Sequence, residues 1–251
     1  MVTLWASYAN FIDMAAEYSY IGNELEVFYQ ARNWKAYWAG KVHPFLGEEV
    51  LEVGAGIGAN TEMLCSGRQK RWLCLEPDGT LLQGLRKRVE SHPFRAAIDI
   101  QCGTIGTVPE TERFDTVLYL DVLEHIEGDR SELEAACRLL RPGGYCVVLA
   151  PAHQWLYSPF DRSIGHYRRY SKASLAAAAP SSLGLRQLSY LDSVGLLASA
   201  GNRVCLRQSL PTAKQIGFWD RWLVPASVHI DKRLGFLLGK TVLGIWVRKG
   251  E

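Results

Sequence analysis

The sequence predicts an α/β fold: a doubly wound parallel sheet covered by helices on both faces. Short apolar runs alternate with amphipathic helical patterns from residue 49 onward. Glycines at alternate positions follow the first of these runs. The chain has 251 residues, 48% of them apolar, which suits one domain with a sizeable core.

The elements follow from the pattern in order. Residues 1–45 are rich in aromatic side chains with helical spacing, and His43-Pro44 ends that pattern. The strand-like runs that follow cover residues 49–53, 72–76, 96–102, 115–120 and 144–150. Helical patterns lie between them at 59–66, 79–91 and 130–140. Right-handed crossovers then place ligands at the carboxyl ends of the parallel strands.

The last third predicts a polar and aromatic loop at 151–170, a helix at 171–179, a strand at 185–191 and a final strand at 240–249. We expect a single domain over residues 1–251, with an N-terminal helical segment (1–45), a ligand-binding core (46–152) and a substrate side (153–251). Helical material between the last two strands carries an apolar stripe, broken near Pro225, that predicts packing on the domain. Its members are Trp219, Trp222, Leu223, Ala226, Ile230, Leu234 and Leu237. Two alternatives to packing on the domain stay open. The stripe could contact a lipid-linked substrate or a membrane surface, or it could form a homodimer interface.

Composition excludes several classes of protein. The net charge of +2 and the dispersed basic residues predict no nucleic-acid partner. The first residues lack the pattern of a secretion signal, and no run reaches the ~18 apolar residues of a membrane span. The six cysteines form no C-x-x-C pair, so we expect buried thiols in the cytoplasm rather than disulfides or zinc ligands.

The stretch "LEVGAGIG" at residues 51–58 predicts a ligand loop after the first strand. A dinucleotide site would have its third glycine one position later, and a Walker phosphate loop would end in G-K-[ST]. The remaining pattern, E-x-G-x-G-x-G, places the carboxylate of Glu52 near the loop. That suits a cationic sulfonium ligand better than a pyrophosphate. A purely structural tight turn is the fourth alternative.

A second acid follows on the next strand. Glu76 ends the run "RWLCLE", 22 positions after Gly54, where a carboxylate can accept both hydroxyls of a ribose. This acid by itself also suits NAD. Together with the alternate glycines and Glu52 it favours a sulfonium cofactor.

Four motifs in this order, "LEVGAGIG", "LEPD", "DVLEHI" and "LRPGG", resemble those of the class I, Rossmann-like S-adenosylmethionine-dependent methyltransferases. The resemblance runs from about Val50 to Ala150. It implies a Rossmann-like methyltransferase fold with S-adenosylmethionine as cofactor and S-adenosylhomocysteine as product. It also implies a mostly parallel sheet of seven strands with the last strand antiparallel, in which "KTVLGIWVRK" pairs with "LRQLSYL" as a hairpin.

The resemblance implies roles for particular residues. The glycines line the methionine and ribose, Glu76 binds the ribose, and Gly103-Thr104 after the third strand lies by the adenine. Asp121 and Val122 close the floor under the methionine end. The full set expected at the cofactor is Glu52, Gly54, Ala55, Gly56, Gly58, Glu76, Pro77, Gly103, Thr104, Asp121, Val122 and His125.

The loop "APAHQWLYSPFDRSIGHYRRYSK" follows the fifth strand and should stand over the ligand. His153 or His166 can take the acceptor proton near neutral pH. The arginine pair can hold a carboxylate or phosphate of the substrate. Alternatively, Asp161 pairs with Arg168 or Arg169 and fixes the loop to the domain. The predicted substrate-binding residues are Tyr157, Asp161, Arg168, Arg169 and Tyr170.

These features predict a methyltransferase acting on a small molecule. Oxygen is the expected acceptor atom, on an anionic or sugar-like metabolite because of the arginine pair. Transfer to nitrogen or carbon, on a natural product or lipid-linked substrate, stays open. The rivals are an NAD-dependent oxidoreductase and a non-catalytic nucleotide-binding module. No metal is expected, because the sequence shows no clustered His/Asp ligand pattern.

Overall fold

The computed structural model describes residues 29–201 and 212–250. Within them, seven strands form one sheet in the order β3-β2-β1-β4-β5-β7-β6. The strands are β1 (Glu49–Val53), β2 (Arg71–Glu76), β3 (Ile98–Cys102), β4 (Phe114–Leu120), β5 (Leu140–Pro151), β6 (Leu183–Leu191) and β7 (Thr241–Arg248). The first five strands are parallel, and β7 runs antiparallel to both β5 and β6. The predicted fold, including the closing hairpin, is therefore confirmed.

Helices connect and cover the strands. They are α1 (Arg32–Val42), α2 (Ala59–Leu64), α3 (Gly79–Glu90), α4 (Asp129–Leu139), α5 (Pro159–Ser163), α6 (Lys172–Ala178), α7 (Ser193–Gly201), α8 (Ala213–Phe218) and α9 (Val224–Arg233). Helix α1 agrees with the predicted N-terminal helical segment. The part of that prediction that concerns residues 1–28 lies outside the described residues.

The sheet is buried on both faces, as the apolar runs predict. Along β1, Val50 and Leu51 point to opposite faces and are both fully buried. One core cluster contains Val50 and Trp72 with α1 and α3, and the other contains Leu51 with α4 and α6. A central strand covered on both sides is held rigidly, so the loop at its carboxyl end starts from a fixed position.

Strand β5 begins four residues earlier than predicted. Leu140 pairs with Phe114, and the pairing then jumps so that Tyr145 pairs with Thr116. The residues between them form a bulge with Gly143 in the left-handed region, at φ 81°. The turn signal of Pro142-Gly143 is real, but it marks an irregularity within the strand.

The helical segment between β6 and β7 continues through Pro225. Residues 213–233 are continuously helical, through a π-helical turn at Trp219–Leu223 that joins α8 to α9. Pro225 has no N–H to donate to the carbonyl of residue 221. A π turn within a helix is rare and here lies just before the proline. The predicted interruption of the apolar spacing near Pro225 thus coincides with a wide turn, while the helix itself continues.

This helical segment docks through buried carboxylates. Asp220 accepts a hydrogen bond from the backbone N–H of Trp34 at 2.8 Å, and Asp231 accepts one from the hydroxyl of Tyr37 at 2.7 Å. Both aspartates are buried. A buried carboxylate is costly unless such donors surround it, so these bonds fix α1 against α9 and its preceding turn.

The apolar stripe predicted to pack on the domain does so only in part. Trp219 is buried, but Trp222 is 60% and Leu237 is 68% exposed, and Ile230 and Leu234 are also exposed. The packing prediction is wrong for these four residues, because the face that docks carries the aspartates. Within the described residues, none of the helices has the length and apolar character needed to cross a bilayer.

Candidate functional site at the carboxyl ends of the strands

The loop between β1 and α2 adopts a conformation that favours glycine. Gly54, Gly56 and Gly58 have φ values of 66°, 56° and 79°. L-amino acids with a side chain avoid this left-handed region at a cost of about 1–2 kcal/mol per residue. A Cβ on Gly54 would also lie 2.7 Å from Cγ2 of Val122, at the end of β4. The glycines therefore let two strand ends approach each other closely.

Glu76, at the end of β2, holds this loop in place. One carboxylate oxygen accepts the N–H of Gly56 at 2.7 Å, and the other accepts that of Asp78 at 2.9 Å. The side chain is buried, which raises its pKa. An ionised carboxylate can accept about four hydrogen bonds, so two ribose hydroxyls can still bind.

The other residues expected at the cofactor lie along the same edge of the sheet. Ala55 donates its N–H to Leu75 at 2.9 Å, and Gly103 donates to the carbonyl of Glu76 at 3.2 Å. Pro77 accepts the thiol of Cys102. Thr104 follows directly on Gly103. The parallel register of β1, β2 and β3 thus brings together segments that are far apart in sequence.

Asp121 occupies a strained position on this edge. Its φ is 58°, although it is not glycine, and its N–H bonds the carbonyl of Leu149 at 2.8 Å. Its side chain is accessible from the crevice, whose walls desolvate the carboxyl and raise its pKa to about 6. Non-glycine residues in this region cost about 1–3 kcal/mol and cluster at functional sites.

The hydrogen bonds of Glu52 are made within the protein, so this residue has a larger structural role than the sequence suggests. Its Oε2 accepts the hydroxyl of Thr61 at 2.6 Å and the indole N–H of Trp72 at 2.9 Å. Its Oε1 is buried and has no hydrogen-bond partner. The predicted contact with a cationic cofactor rests on this one oxygen. Burial raises the pKa of Glu52 to about 7, against the effect of those two bonds.

Glu52 should make stability depend on pH. An unfolded glutamate loses its proton near pH 4.3, whereas folded Glu52 keeps it to about pH 7. The contribution of this group is fully present below the unfolded pKa and is lost as pH rises through the folded pKa. We expect Glu52→Gln to gain stability relative to wild type between pH 5 and pH 8, measured by urea denaturation.

Glutamine keeps the acceptor that Thr61 and Trp72 use, so the comparison isolates the charge. Glu90→Gln, at the exposed end of α3, is the matched control and should show no such trend. A pH-independent difference between Glu52→Gln and wild type would contradict the assignment.

The loop after β5 is organised around Asp161, which is fully buried. Its carboxylate accepts two bonds from Ser158, at 2.8 Å each, and one from Nδ1 of His166 at 3.0 Å. Arg169 adds a two-point ion pair at 2.8 and 3.1 Å. These groups satisfy each other and fix the loop, which is the alternative role expected for them, and substrate binding by Asp161 and Arg169 stays a prediction.

The remaining predicted substrate residues also have partners inside the protein. Arg168 pairs with Asp129 at 2.7 Å. Tyr170 is buried, and its hydroxyl donates to the same Asp129 at 2.8 Å. The hydroxyl of Tyr157 donates to the carbonyl of His166 at 2.6 Å. Each side chain thus holds the loop onto α4 or onto itself, and the predicted substrate roles stay predictions.

The two histidines predicted as bases occupy different settings. Nε2 of His153 lies 2.9 Å from the carbonyl of Gly239, and burial lowers the pKa of His153. As Nε2–H donates there, only Nδ1 of His153 can accept a proton. In His166, Nδ1–H donates to Asp161, so Nε2 carries the lone pair and lies 3.8 Å from Oε1 of Glu124. That nitrogen can accept a proton or bind a metal cation.

His125, expected at the cofactor, instead lies against His166, with ring centroids 4.5 Å apart. Burial lowers the pKa of His125 to about 4. The neighbouring Glu124 is buried, and burial together with the charge of Asp121 raises its pKa. Glu124, His125 and His166 thus form one cluster of ligand-type side chains beside the strand end that carries Asp121.

Two lysines at this edge were not identified from the sequence. Lys35 on α1 interacts electrostatically with Asp121 and Glu52, and burial lowers its pKa to about 8. Lys240 precedes β7, lies 3.4 Å from Asp192 and is also close enough to affect Asp121. An antiparallel strand starts at the edge where its parallel neighbours end. The position of Lys240 just before β7 could therefore have placed it at this edge from the sequence.

A surface cavity of about 260 Å³ lies at the opposite edge of the sheet. It is lined by residues that precede or begin the strands, among them Gly47, Asp115 and Tyr145. Ligands of doubly wound sheets bind at the carboxyl ends. The glycine loop, rather than this cavity, therefore marks the candidate site.

Comparison with known proteins agrees with this placement. Residues 51–148 match the family model of the methyltransferase domain. This segment, less than half of the chain, is similar to methyltransferase domains. The match covers β1 to β5 and includes the glycine loop, Glu76, Asp121 and the Glu124-His125 pair.

Curated methyltransferases are similar to part of the chain. A ubiquinone biosynthesis O-methyltransferase of Bradyrhizobium diazoefficiens is 30% identical over 109 residues, which are 43% of this chain and 42% of the relative. A demethylmenaquinone methyltransferase of Tropheryma whipplei is 31% identical over 155 residues, 59% of this chain and 60% of the relative. The chain thus spans roughly half the length of these relatives.

Solved structures share the fold over most of the chain. The N-methyltransferase NodS of Bradyrhizobium japonicum, in complex with S-adenosyl-L-homocysteine, aligns with a TM-score of 0.56 at 15% identity over 88% of each chain. The cyclase SpnF aligns with a TM-score of 0.60 at 13% identity, over 88% of this chain and 83% of its own. These likenesses establish the fold alone.

Proposed function

We propose that this protein transfers a methyl group from S-adenosylmethionine to a hydroxyl of a small molecule. The observation that carries the proposal is the left-handed glycine loop tied to Glu76 within the matched methyltransferase domain. Gly54, Gly56 and Gly58 offer close backbone approach, and Glu76 keeps lone pairs for a ribose.

The charge along the crevice supports a cationic donor. Glu52, Glu76 and Asp121 all lie at the carboxyl ends of β1, β2 and β4. S-adenosylmethionine carries a sulfonium and an ammonium group, which these carboxylates favour. A pyrophosphate-bearing dinucleotide would be repelled by them, which disfavours NAD.

For this reaction the protein mainly has to align the methyl donor with the acceptor. Methyl transfer from a sulfonium is an in-line displacement, and the cofactor supplies the reactivity. In our proposal the acceptor enters between Asp121 and the loop that Asp161 organises. The hydroxyl proton then passes to a group on that side, where His166 presents Nε2.

Oxygen is favoured as the acceptor atom because curated relatives with the same domain are named as O-methyltransferases. An anionic or sugar-like acceptor loses its support. It was inferred from Arg168 and Arg169, and both guanidinium groups pair with aspartates of the protein. A neutral hydroxyl acceptor fits the described residues better.

Titration calorimetry tests the proposal. We expect S-adenosylhomocysteine to bind and NAD not to bind. Glu76→Ala should weaken the binding of S-adenosylhomocysteine more than tenfold, because hydrogen bonds to a charged group contribute ~1.5–3 kcal/mol. Glu90→Ala, at the exposed end of α3, is the control and should bind as wild type does. NAD binding without S-adenosylhomocysteine binding, or unchanged affinity in Glu76→Ala, would overturn it.

A further inference from the structure

We infer that Glu124, His125 and His166 form a binding site for one divalent transition-metal cation, of the Zn²⁺, Fe²⁺ or Mn²⁺ type, beside the methyl-donor end of the crevice. Each residue offers one ligand atom, and these atoms lie within 4.8 Å of one another. A glutamate and a histidine at consecutive positions follow β4, and the third ligand arrives from the loop after β5.

The first observation is a carboxyl oxygen without a partner. Oε2 of Glu124 is buried and has no hydrogen-bond partner, and the residue is 1% exposed. Its Oε1 lies 3.8 Å from Nε2 of His166, which is longer than a hydrogen bond. A buried polar oxygen without a partner is costly, and a bound cation would remove that cost.

The second observation is the orientation of the histidines. A metal-binding histidine usually donates its other ring N–H to a carboxylate or a backbone carbonyl, which fixes the tautomer. Nδ1 of His166 meets Asp161 at 3.0 Å, which leaves Nε2 as the ligand atom. The ring of His125 hydrogen-bonds to the backbone of Ile164 and Gly165. Both rings are therefore held as ligands are, by groups that lie outside the cluster.

The geometry is close to that of a bound site. Two ligand atoms that share a Zn²⁺ ion, each ~2.1 Å from it, are about 3–4 Å apart. The cluster therefore needs a contraction of about 1 Å, which rotation of the glutamate and histidine side chains supplies. Two imidazoles and one carboxylate suit transition metals better than Mg²⁺ or Ca²⁺, which prefer oxygen ligands.

The position of the site indicates what the cation would do. Three protein ligands leave coordination positions open, as in catalytic rather than structural metal sites. The site adjoins Asp121, whose carboxyl interacts electrostatically with both Glu124 and His166. A cation there would lower the pKa of an acceptor hydroxyl bound to it, and the proton would pass to water, because Nε2 of His166 is then a ligand and cannot accept it. This last step rests on the proposed function, whereas the binding of the metal does not.

Metal binding is measured on the full chain after treatment with EDTA and removal of the chelator. Co²⁺ is the probe, because its visible absorption reports coordination by nitrogen and oxygen, and Zn²⁺ is the competitor. We expect one Co²⁺ per chain, displaced by Zn²⁺. Glu124→Gln and His166→Gln should each weaken binding at least tenfold. Circular dichroism shows whether each variant is folded.

His43→Ala, at an exposed histidine remote from the cluster in sequence, is the matched control and should bind Co²⁺ as wild type does. Absence of saturable binding at micromolar Co²⁺ and Zn²⁺ would overturn the inference, and so would unchanged affinity in Glu124→Gln. S-adenosylhomocysteine binding is measured separately on the chelated protein. Failure of the proposed function therefore stays distinguishable from failure of the metal site.

Discussion

Replacing Asp161 with alanine is expected to lower the free energy of unfolding by about 3–5 kcal/mol. The carboxylate is fully buried and accepts bonds from Ser158, His166 and Arg169. Its removal leaves the guanidinium of Arg169 largely buried without a counter-charge. Breaking one side of a buried ion pair costs more than the pair contributes, because the remaining charge is stranded. Urea denaturation at pH 7 measures the loss.

The same carboxylate predicts a pH dependence of that loss. Burial alone would raise the pKa of Asp161, but the bonds from His166 and Arg169 hold it well below its usual range. A depressed folded pKa contributes stability above the unfolded pKa, which is lost as pH falls through the folded value. The difference between wild type and Asp161→Ala should therefore be full at pH 7 and shrink below about pH 4.

Two variants make this result specific. Glu48→Ala removes an exposed partner of Lys70 and should leave the free energy of unfolding nearly unchanged. Asp161→Asn keeps an acceptor for Ser158 and should lie between wild type and Asp161→Ala. If Asp161→Ala were as stable as Glu48→Ala, the loop would not depend on this pair, and a substrate role for Asp161 would regain its support.

The fold was predictable because its signals are local. Each of the first five strands is an apolar run such as Val50 to Val53, and a strand buried on both faces allows few other patterns. The glycine loop was equally local, since three left-handed positions at alternate residues exclude most side chains. These features depend on neighbours in sequence, and they agree with the structure to within a few residues.

The partners of charged loop residues were not predictable in the same way. Asp161 and Arg169 lie eight positions apart in a segment without regular spacing, so the sequence equally suits an internal ion pair and a substrate site. Only the folded loop shows that the carboxylate is buried and its partner turned inward. The docking of α9 through Asp231 was not predictable for a similar reason. The periodicity of apolar side chains identifies the buried face of a helix only where that face is apolar, and Asp231 is a buried aspartate.

The cluster of Glu124, His125 and His166 was likewise not predictable from the sequence. Glu124 and His125 are adjacent, but His166 comes about forty residues later, and the three meet only because the loop after β5 folds back over the end of β4. The N–H of Tyr167 bonds the carbonyl of Glu124 at 2.8 Å, which fixes that return. A spacing of this length carries no recognisable ligand pattern in a single sequence.

Replacing Gly54 with alanine is expected to weaken S-adenosylhomocysteine binding by about 30- to 5000-fold, or about 2–5 kcal/mol. The residue lies at φ 66°, and a methyl group there would meet Cγ2 of Val122 at 2.7 Å. A left-handed alanine costs about 1–2 kcal/mol, and overpacking adds about 1–3 kcal/mol. The loop can relieve both by moving away from Val122. That movement would break the bond from Gly56 to Glu76 and remove the proposed ligand position.

The contact with Val122 permits a test by double substitution. Val122→Ala removes the methyl groups that the new side chain would strike but leaves the strained φ unchanged. In the Gly54→Ala/Val122→Ala protein, affinity should therefore recover by the overpacking part, about 1–3 kcal/mol. Gly40→Ala, within α1 and with nothing within 4 Å of a new Cβ, should leave binding unchanged and stabilise the helix slightly. If Gly54→Ala bound as wild type does, close approach of the backbone at this turn would not be what binds the ligand. If the double variant showed no recovery, the loss would come from backbone strain alone.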